Sequence, residues 1–260
     1  MTSMTKGVAI TRAVSSAFGA CELTHLPRVP IDVELARAQH RDYEQALVDA
    51  GYLVERLDTG PDIPDSVFIE DIAVVFDELA ILTRPGAASR RAETPAVADA
   101  LRRYRTVEAI AAPGTVDGGD VLVVGRRVFV GRSTRTNAVA IAQMRRILGP
   151  RGYTVCDLVV RGCLHLKSAV TALADDLLLV NPAWIDTAAL AGFTCVEVDP
   201  EEGSAANALR LEDRVIFPSS FPRTADRLER RGLRLHAVDA GELAKAEGAV
   251  TCCSLIVGQA

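Results

Sequence analysis

Four stretches of the chain share one rhythm of apolar and polar residues. "IAVVFDELAILT", "VLVVGRRVFVG", "AVTALADDLLLV" and "ALRLEDRVIFP" each hold an apolar run, a short polar turn and a second apolar run, the pattern of a tight β-hairpin. A segment with helical periodicity follows each: "TPAVADALRRY", "TNAVAIAQMRRIL", "DTAALAGF" and "TADRLERRG". Each unit closes with another short strand, "VEAIAA", "TVCDLVV", "TCVEVD" and "LRLHAVDA". The unit is therefore strand–strand–helix–strand. The two ends of the chain supply a fifth copy: "CCSLIVG" as first strand, "GVAITRA" as second, "DVELARAQHRDYEQALVDAG" as helix and "YLVERLD" as closing strand. The pattern predicts an α/β fold in which five such units close into a ring through pairing of the termini, as a single domain over residues 1–260.

Just before, or at the start of, the first strand of each unit stand Asp71, Asp117, His165, Asn207 and Cys252. They recur at a period of about 45 residues. Ring symmetry places equivalent positions near a common axis. Two acids, a histidine and a cysteine that are far apart in sequence are thus expected to converge.

Composition narrows what such a meeting can do. Of 260 residues, 49% are hydrophobic and 24% charged, enough apolar surface for a substantial core. The net charge of -5 argues against a general nucleic-acid binder. The arginine clusters "RRAE", "LRRYR", "MRRIL" and "RLERRG" read as solvated helix faces. No apolar run reaches the roughly 20 residues of a membrane span, and "MTSMTKGVAITRAV" has no signal-peptide core. A reducing cytoplasm is the default for the six scattered cysteines. Neighbouring cysteines in a strand face opposite ways, so a Cys252–Cys253 disulfide is not expected.

With His165 and an acid arriving beside it, Cys252 reads as a nucleophile and His165 as its proton-transfer partner. Asp117, in "TVDGGDVLVVG", is placed to accept from His165 and fix its ring. Cys253 is expected to point into packing. Cys21, Cys156, Cys163 and Cys195 read as structural, and His25, His40 and His236 have no comparable context. A zinc site finds little support, since no CxxC or HxxxH is present. Asp65, Glu70 and Asp71, in "PDSVFIEDIAVV", are acids beside an apolar strand, costly to bury unless paired. A planar guanidinium, with donors in a fixed fork, would pair them. Arg90 and Arg135 follow the second strands of two units and suggest a shared rim position that grips a carboxylate. The ligand implied is an arginine-like amino acid.

At these residues the sequence resembles the dimethylarginine dimethylaminohydrolase family of the guanidino-group-modifying (pentein) superfamily. The segments that carry the resemblance are "DSVFIEDIAVV", "LTRPGAASRR", "DGGDVLVVG", "GRSTRTN", "LHLKS" and "TCCS", in family order over nearly the whole chain. The resemblance implies a five-fold pseudosymmetric α/β propeller. It implies hydrolysis of asymmetric Nω-methylated arginine to citrulline and dimethylamine or methylamine through a Cys252 thiouronium, with no cofactor. Cys252 matches the family nucleophile, His165 the acid/base and Asp117 its orienter. Glu70 and Asp71 match the guanidinium-side carboxylates, Asp65 a further substrate-binding acid, and Arg90 and Arg135 the carboxylate binders. Leu23 falls where the family has a lid residue, and Ala246 where a backbone carbonyl meets the substrate's α-amino group. "FGACELTHLPRV", around Leu23, departs most from the family pattern, and "SSAFGACELTH" reads as a lid with Gly19 as hinge. Inhibitory zinc captured by Cys252 and His165 is a further expectation. The partner expected is a small molecule, with neither nucleic acid nor membrane; a homodimer stays open. The alternatives are an arginine deiminase-like or other amidine hydrolase of the same superfamily, a non-catalytic pentein binding module, and a passive metal or ligand binder.

Overall fold

The computed structural model describes residues 5–58 and 62–259. Residues 1–4, part of the stretch read above for a leader, lie outside them. The described residues form five three-stranded sheets of one design. Strand β1 (Gly7–Arg12) is joined by helix α1 (Val33–Asp49) to β2 (Tyr52–Leu57), which runs parallel to it. Next, β3 (Ala73–Val75) and β4 (Leu79–Leu82) make an antiparallel hairpin, and α2 (Thr94–Leu101) carries the chain to β5 (Thr106–Ala109), parallel to β4. The order recurs in β6 (Val121–Val124), β7 (Arg127–Arg132), α3 (Ala138–Leu148) and β8 (Thr154–Val159). After the short α4 (Leu166–Ala169) come β9 (Val170–Ala172), β10 (Leu177–Val180) and β11 (Thr194–Glu197). Then follow β12 (Leu209–Leu211), β13 (Arg214–Pro218), α5 (Pro222–Glu229) and β14 (Leu235–Val238). The one-turn α6 (Gly241–Ala244) leads to β15 (Leu255–Gly258), which lies antiparallel to β1 with Leu255 opposite Ile10.

Local chemistry accounts for most of these boundaries. A parallel partner needs a crossover, which the helices supply. Asp32 caps α1 by accepting from the Leu35 N–H at 3.0 Å, and Asn137 caps α3 through the Ala140 N–H at 3.0 Å. Pro222 opens α5, where its missing N–H costs nothing.

Two expectations need correction. The segment "DTAALAGF" forms only a 3-10 turn, Thr187–Leu190. Asp186 starts it and Gly192, in the left-handed region at φ 93°, ends the run before helix nucleation can be offset by further turns. Cys252 and Cys253 are not in a strand: they occupy a 3-10 turn, Thr251–Cys253, and β15 begins at Leu255. Both remain free thiols, with Cys253 buried.

The first strand of every sheet, β3, β6, β9, β12 and β15, contributes at least two residues to the lining of a single cavity of about 280 Å3. The apolar cores lie between sheets and helices. One of them joins Ile10 of β1 and Leu255 of β15 to Ile69, Leu82, Val97 and Leu101. No helix among the described residues is long and apolar enough to cross a membrane.

Ile10 is fully buried where the two ends of the chain pair. Ile10→Ala is expected to cost about 2–5 kcal/mol of unfolding free energy. Urea denaturation followed by circular dichroism checks this; an unchanged midpoint would show that the paired ends contribute little.

Candidate active site

Each first strand is preceded by a short turn, and these turns carry the chemistry. Asp71 lies in the 3-10 turn Ile69–Ile72, Asp117 directly before Gly118–Asp120, and His165 directly before α4. Asn207 follows Gly203–Ala206, and Cys252 is the middle residue of its turn. Asp71, Asp117, His165 and Cys252 line one pocket. Asn207 lines no part of it. Its side chain instead bonds the Lys167 carbonyl at 3.0 Å, the Thr251 hydroxyl at 2.9 Å and the Thr251 N–H at 3.0 Å, and so fixes the turn that carries Cys252.

His165 is buried with its Nε2 3.1 Å from Asp117 Oδ2. The other Asp117 oxygen accepts the Gly86 N–H at 2.8 Å. His165 Nδ1 lies 3.8 Å from Asp71 Oδ1, too far for a hydrogen bond, which leaves that nitrogen to serve a bound molecule. Burial alone would lower the imidazole pKa. The Asp71 charge, the hydrogen bond to Asp117 and the Asp120 charge outweigh it and push the group up to about 9. His165 is therefore an imidazolium at neutral pH. Cys252 is half-buried, and its thiol is driven strongly upward by burial and then by the Glu70 and Asp71 charges. With nothing bound, the pocket holds a neutral thiol and a protonated imidazole.

Asp71 is buried yet held below the usual carboxylate range. The desolvation cost is outweighed by His165, by Arg90 and by the Gly119 N–H, which donates to it at 2.9 Å. A Cβ at residue 119 would fall 2.6 Å from His165 Nδ1 and 2.8 Å from Asp71 Oδ1, so only glycine lets the backbone come this close. Asp65 also lines the pocket. Burial pushes it up to about 6, against the Arg90 charge and the Glu22 N–H it accepts.

Arg90 was expected at an exposed rim, as Arg135 was, and within a solvated "RRAE" face. It is buried instead. Its Nε donates to Glu93 at 2.8 Å, Nη1 to Asp71 at 2.5 Å, and Nη2 to the carbonyls of Asp65 and Phe68 and to Glu93. The 3-10 turn Ala88–Glu93 folds Arg90 over the segment that carries the acids, and its donors are taken up there. Arg135 does line the rim, 3.6 Å from Glu22 and bonded to the Thr24 hydroxyl at 3.2 Å, partners that a carboxylate could replace.

Glu70 and Asp71 do not form the expected fork. Successive residues of a 3-10 turn point about 120° apart. Glu70 faces away from Cys252's pocket, accepting from Lys167 Nζ at 2.5 Å and the Thr251 hydroxyl at 2.8 Å, and lines the cavity of the first strands. Ala246 lines the same pocket as Cys252 and His165, and is buried. Leu23 packs half-buried against the core, and its neighbour Glu22 lines the pocket in its place. Gly19 lies in the 3-10 turn Phe18–Ala20. Among the described residues, the ligand-type groups set within 4.8 Å of one another are Asp71, Asp117 and His165, and Cys252 does not join them.

The most informative comparison is with known sequences and structures. Residues 28–193 match the family model for eukaryotic N,N dimethylarginine dimethylhydrolase. The N(G),N(G)-dimethylarginine dimethylaminohydrolase of Streptomyces coelicolor is 41% identical over 248 residues, 95% of both chains. The chain belongs to the dimethylarginine dimethylaminohydrolase family. The family's Pseudomonas aeruginosa member, solved as a mutant complexed with citrulline, superposes with a TM-score of 0.92 at 34% identity, covering 97% of this chain and 100% of that one. A dimethylarginine dimethylaminohydrolase adduct with S-methyl-L-thiocitrulline superposes at 0.91, also at 34% identity, covering 96% and 99%. The α/β fold is that of this family and of pentein structures.

Several site residues have no role assigned to them from the sequence, Asp120 among them although it stands with Asp117 in "TVDGGDVLVVG". Asp120, fully buried and pushed by burial up to about 6, accepts from Ser133, Thr136 and the Leu166 N–H, and so fixes the turn after His165. Glu93 and Phe68 were likewise missed. Glu247, at φ 59°, spans three consecutive N–H groups of Thr24, His25 and Leu26 at 2.5–2.8 Å. The DGGD spacing was a usable signal for Asp120; Glu247 had none.

The His165 charge is directly measurable. NMR of histidine-labelled protein is expected to show a midpoint near 9, and Asp71→Asn is expected to lower it. Because the folded value exceeds the unfolded one of about 6.5, this group stabilises the fold fully below that pH, and the contribution is lost as pH rises through 9. A midpoint at the unfolded value would contradict the charge assignment.

Proposed function

We propose that the chain hydrolyses asymmetric Nω-methylated arginines to L-citrulline and dimethylamine or methylamine, with Cys252 as nucleophile, His165 as acid/base and Asp117 as its orienter. The observation that carries this reading is the convergence of Cys252, His165, Asp117 and Asp71 on one pocket in a chain of this family. Substrate brings a cation beside Asp71. That charge offsets the Glu70 and Asp71 charges, which add to burial in holding the Cys252 thiol protonated, so the thiol loses its proton to water and the thiolate attacks the guanidinium carbon. As the C–N bond breaks, the electron pair stays on the departing nitrogen, which takes the proton of the His165 imidazolium. The thiouronium left on Cys252 is attacked by water that neutral His165 deprotonates. The C–S bond then breaks and citrulline leaves.

For the remaining contacts, Asp65, Asp71 and, through its charge, Glu70 serve the cationic side of the substrate, and Arg135 takes its carboxylate with the Arg90 charge behind it. Ala246 offers its carbonyl to the α-amino group, and the Leu23 loop covers that end as a lid. Zinc, where it inhibits, would be held by Cys252 and His165. The five equivalent turns and the β15–β1 pairing support one catalytic domain over residues 1–260, a five-fold α/β propeller closed by its termini. Six free thiols suit a reducing cytoplasm.

Cys252→Ser is expected to lower kcat for asymmetric dimethylarginine by more than about 10^3-fold, and His165→Ala by about 10^2–10^4-fold. Citrulline release read over asymmetric dimethylarginine, symmetric dimethylarginine and arginine checks both variants and the substrate. Undiminished turnover by the Cys252 variant would end the reading, and preference for arginine would move it to a deiminase.

A further inference from the structure

A second cavity, of about 180 Å3, adjoins the catalytic pocket. Leu164, Glu247 and Gly248 line both spaces and form the wall between them. Leu164 is the residue before His165, so the wall stands next to the group that protonates the leaving nitrogen. Beyond it the cavity is lined by the indole of Trp184, by Phe221 and by Leu26 of the loop that Glu247 holds. Among the described residues that line it, Glu247 is the one carboxylate, and there is no lysine or arginine. The Glu247 oxygens accept three N–H bonds between them, which leaves one of four lone-pair sites unused. Cys163, also on the lining, is pushed by burial up to about 12 and stays a neutral thiol.

An apolar, aromatic space with one acid and no fixed cation suits a small organic cation. Alkylammonium ions are drawn to aromatic faces, their methyl groups make leaving water less costly than it is for ammonium, and the Glu247 carboxylate offsets part of the remaining cost. The reaction produces such an ion at this wall: the amine freed beside His165 takes a second proton from water and becomes dimethylammonium or methylammonium. We propose that the cavity behind Leu164 and Gly248 is a binding site for the alkylammonium product, the first station on its way out. The proposal rests on the hydrolase reading for the source of its ligand, but the site itself is defined by its lining. It gives the amine and citrulline separate places to leave from, so the amine can depart while the thiouronium waits for water.

Trp184 is the chain's sole tryptophan, so its fluorescence reports on this cavity alone. Wild-type protein titrated with dimethylammonium chloride should show a saturable change, with ammonium chloride at least about tenfold weaker and sodium chloride without effect. Dimethylammonium should inhibit citrulline release in a mixed rather than purely competitive pattern, and Trp184→Ala should weaken that inhibition about tenfold or more. A linear fluorescence response shared by all three salts, or inhibition unchanged in Trp184→Ala, overturns the site. A saturable dimethylammonium response in protein that releases no citrulline would fail the hydrolase reading and still support the site; a flat response in active enzyme fails the site alone.

Discussion

A string of alternating buried charges holds the candidate active site together. Arg12 pairs with Glu93 at 3.1 Å, Glu93 with Arg90 at 2.8 Å, and Arg90 with Asp71 at 2.5 Å. Asp71 faces His165 at 3.8 Å, and His165 meets Asp117 at 3.1 Å. Each side chain is largely cut off from water. A lone buried charge is costly, and removing one partner strands the next. The string therefore accounts for two properties at once: an imidazole that stays protonated at neutral pH, and an Asp71 carboxylate that stays ionised although it is buried. It also explains why Arg90 is so deeply engaged. Its charge is needed within the site as much as at the edge.

The fold brings these groups together by repetition. A short turn precedes each first strand, so residues about 45 apart in sequence occupy matching places in five sheets. Secondary hydrogen bonds then set each side chain. Gly119 approaches Asp71 and His165 closely enough to donate, Asp120 anchors the turn after His165, and Asn207 with Thr251 fixes the turn of Cys252. Asn207, the one matching residue with no acid, imidazole or thiol to offer, serves as a strut.

The hairpins and the helices α1, α2, α3 and α5 were legible in the apolar pattern because their periods are local. So were the places of Asp71, Asp117 and His165 ahead of the first strands, since they punctuate that pattern, whereas the turn that holds Cys252 was read as strand. The length of the Thr187–Leu190 turn was not, because a segment of mixed apolar character stops where Gly192 permits it. Arg90's burial was hidden for a different reason. Its partners Asp71, Phe68 and Asp65 lie 19, 22 and 25 residues upstream, and only the folded chain shows that they surround it. The divergence of Glu70 from Asp71 follows from 120° steps that a strand-like reading of "FIEDIAVV" does not contain. Glu247 reaches across from residue 247 to residues 24–26, a contact with no local trace at all.

The chemistry that follows is one in which substrate completes the enzyme. Without it the thiol is neutral, held so by burial and by the acids. In the proposed reaction a cationic guanidinium changes that balance where Cys252 must ionise, and the His165 imidazolium already holds the proton the leaving amine requires. The account depends on Cys252 forming a bond to the substrate carbon. Acid quenching during turnover of asymmetric dimethylarginine, followed by peptide mass spectrometry, measures this directly. The predicted result is a thiouronium mass on the peptide carrying Cys252, located to that residue and absent from Cys253 and the other four cysteines. Steady citrulline formation with no adduct on Cys252, or with the adduct on another cysteine, would contradict it.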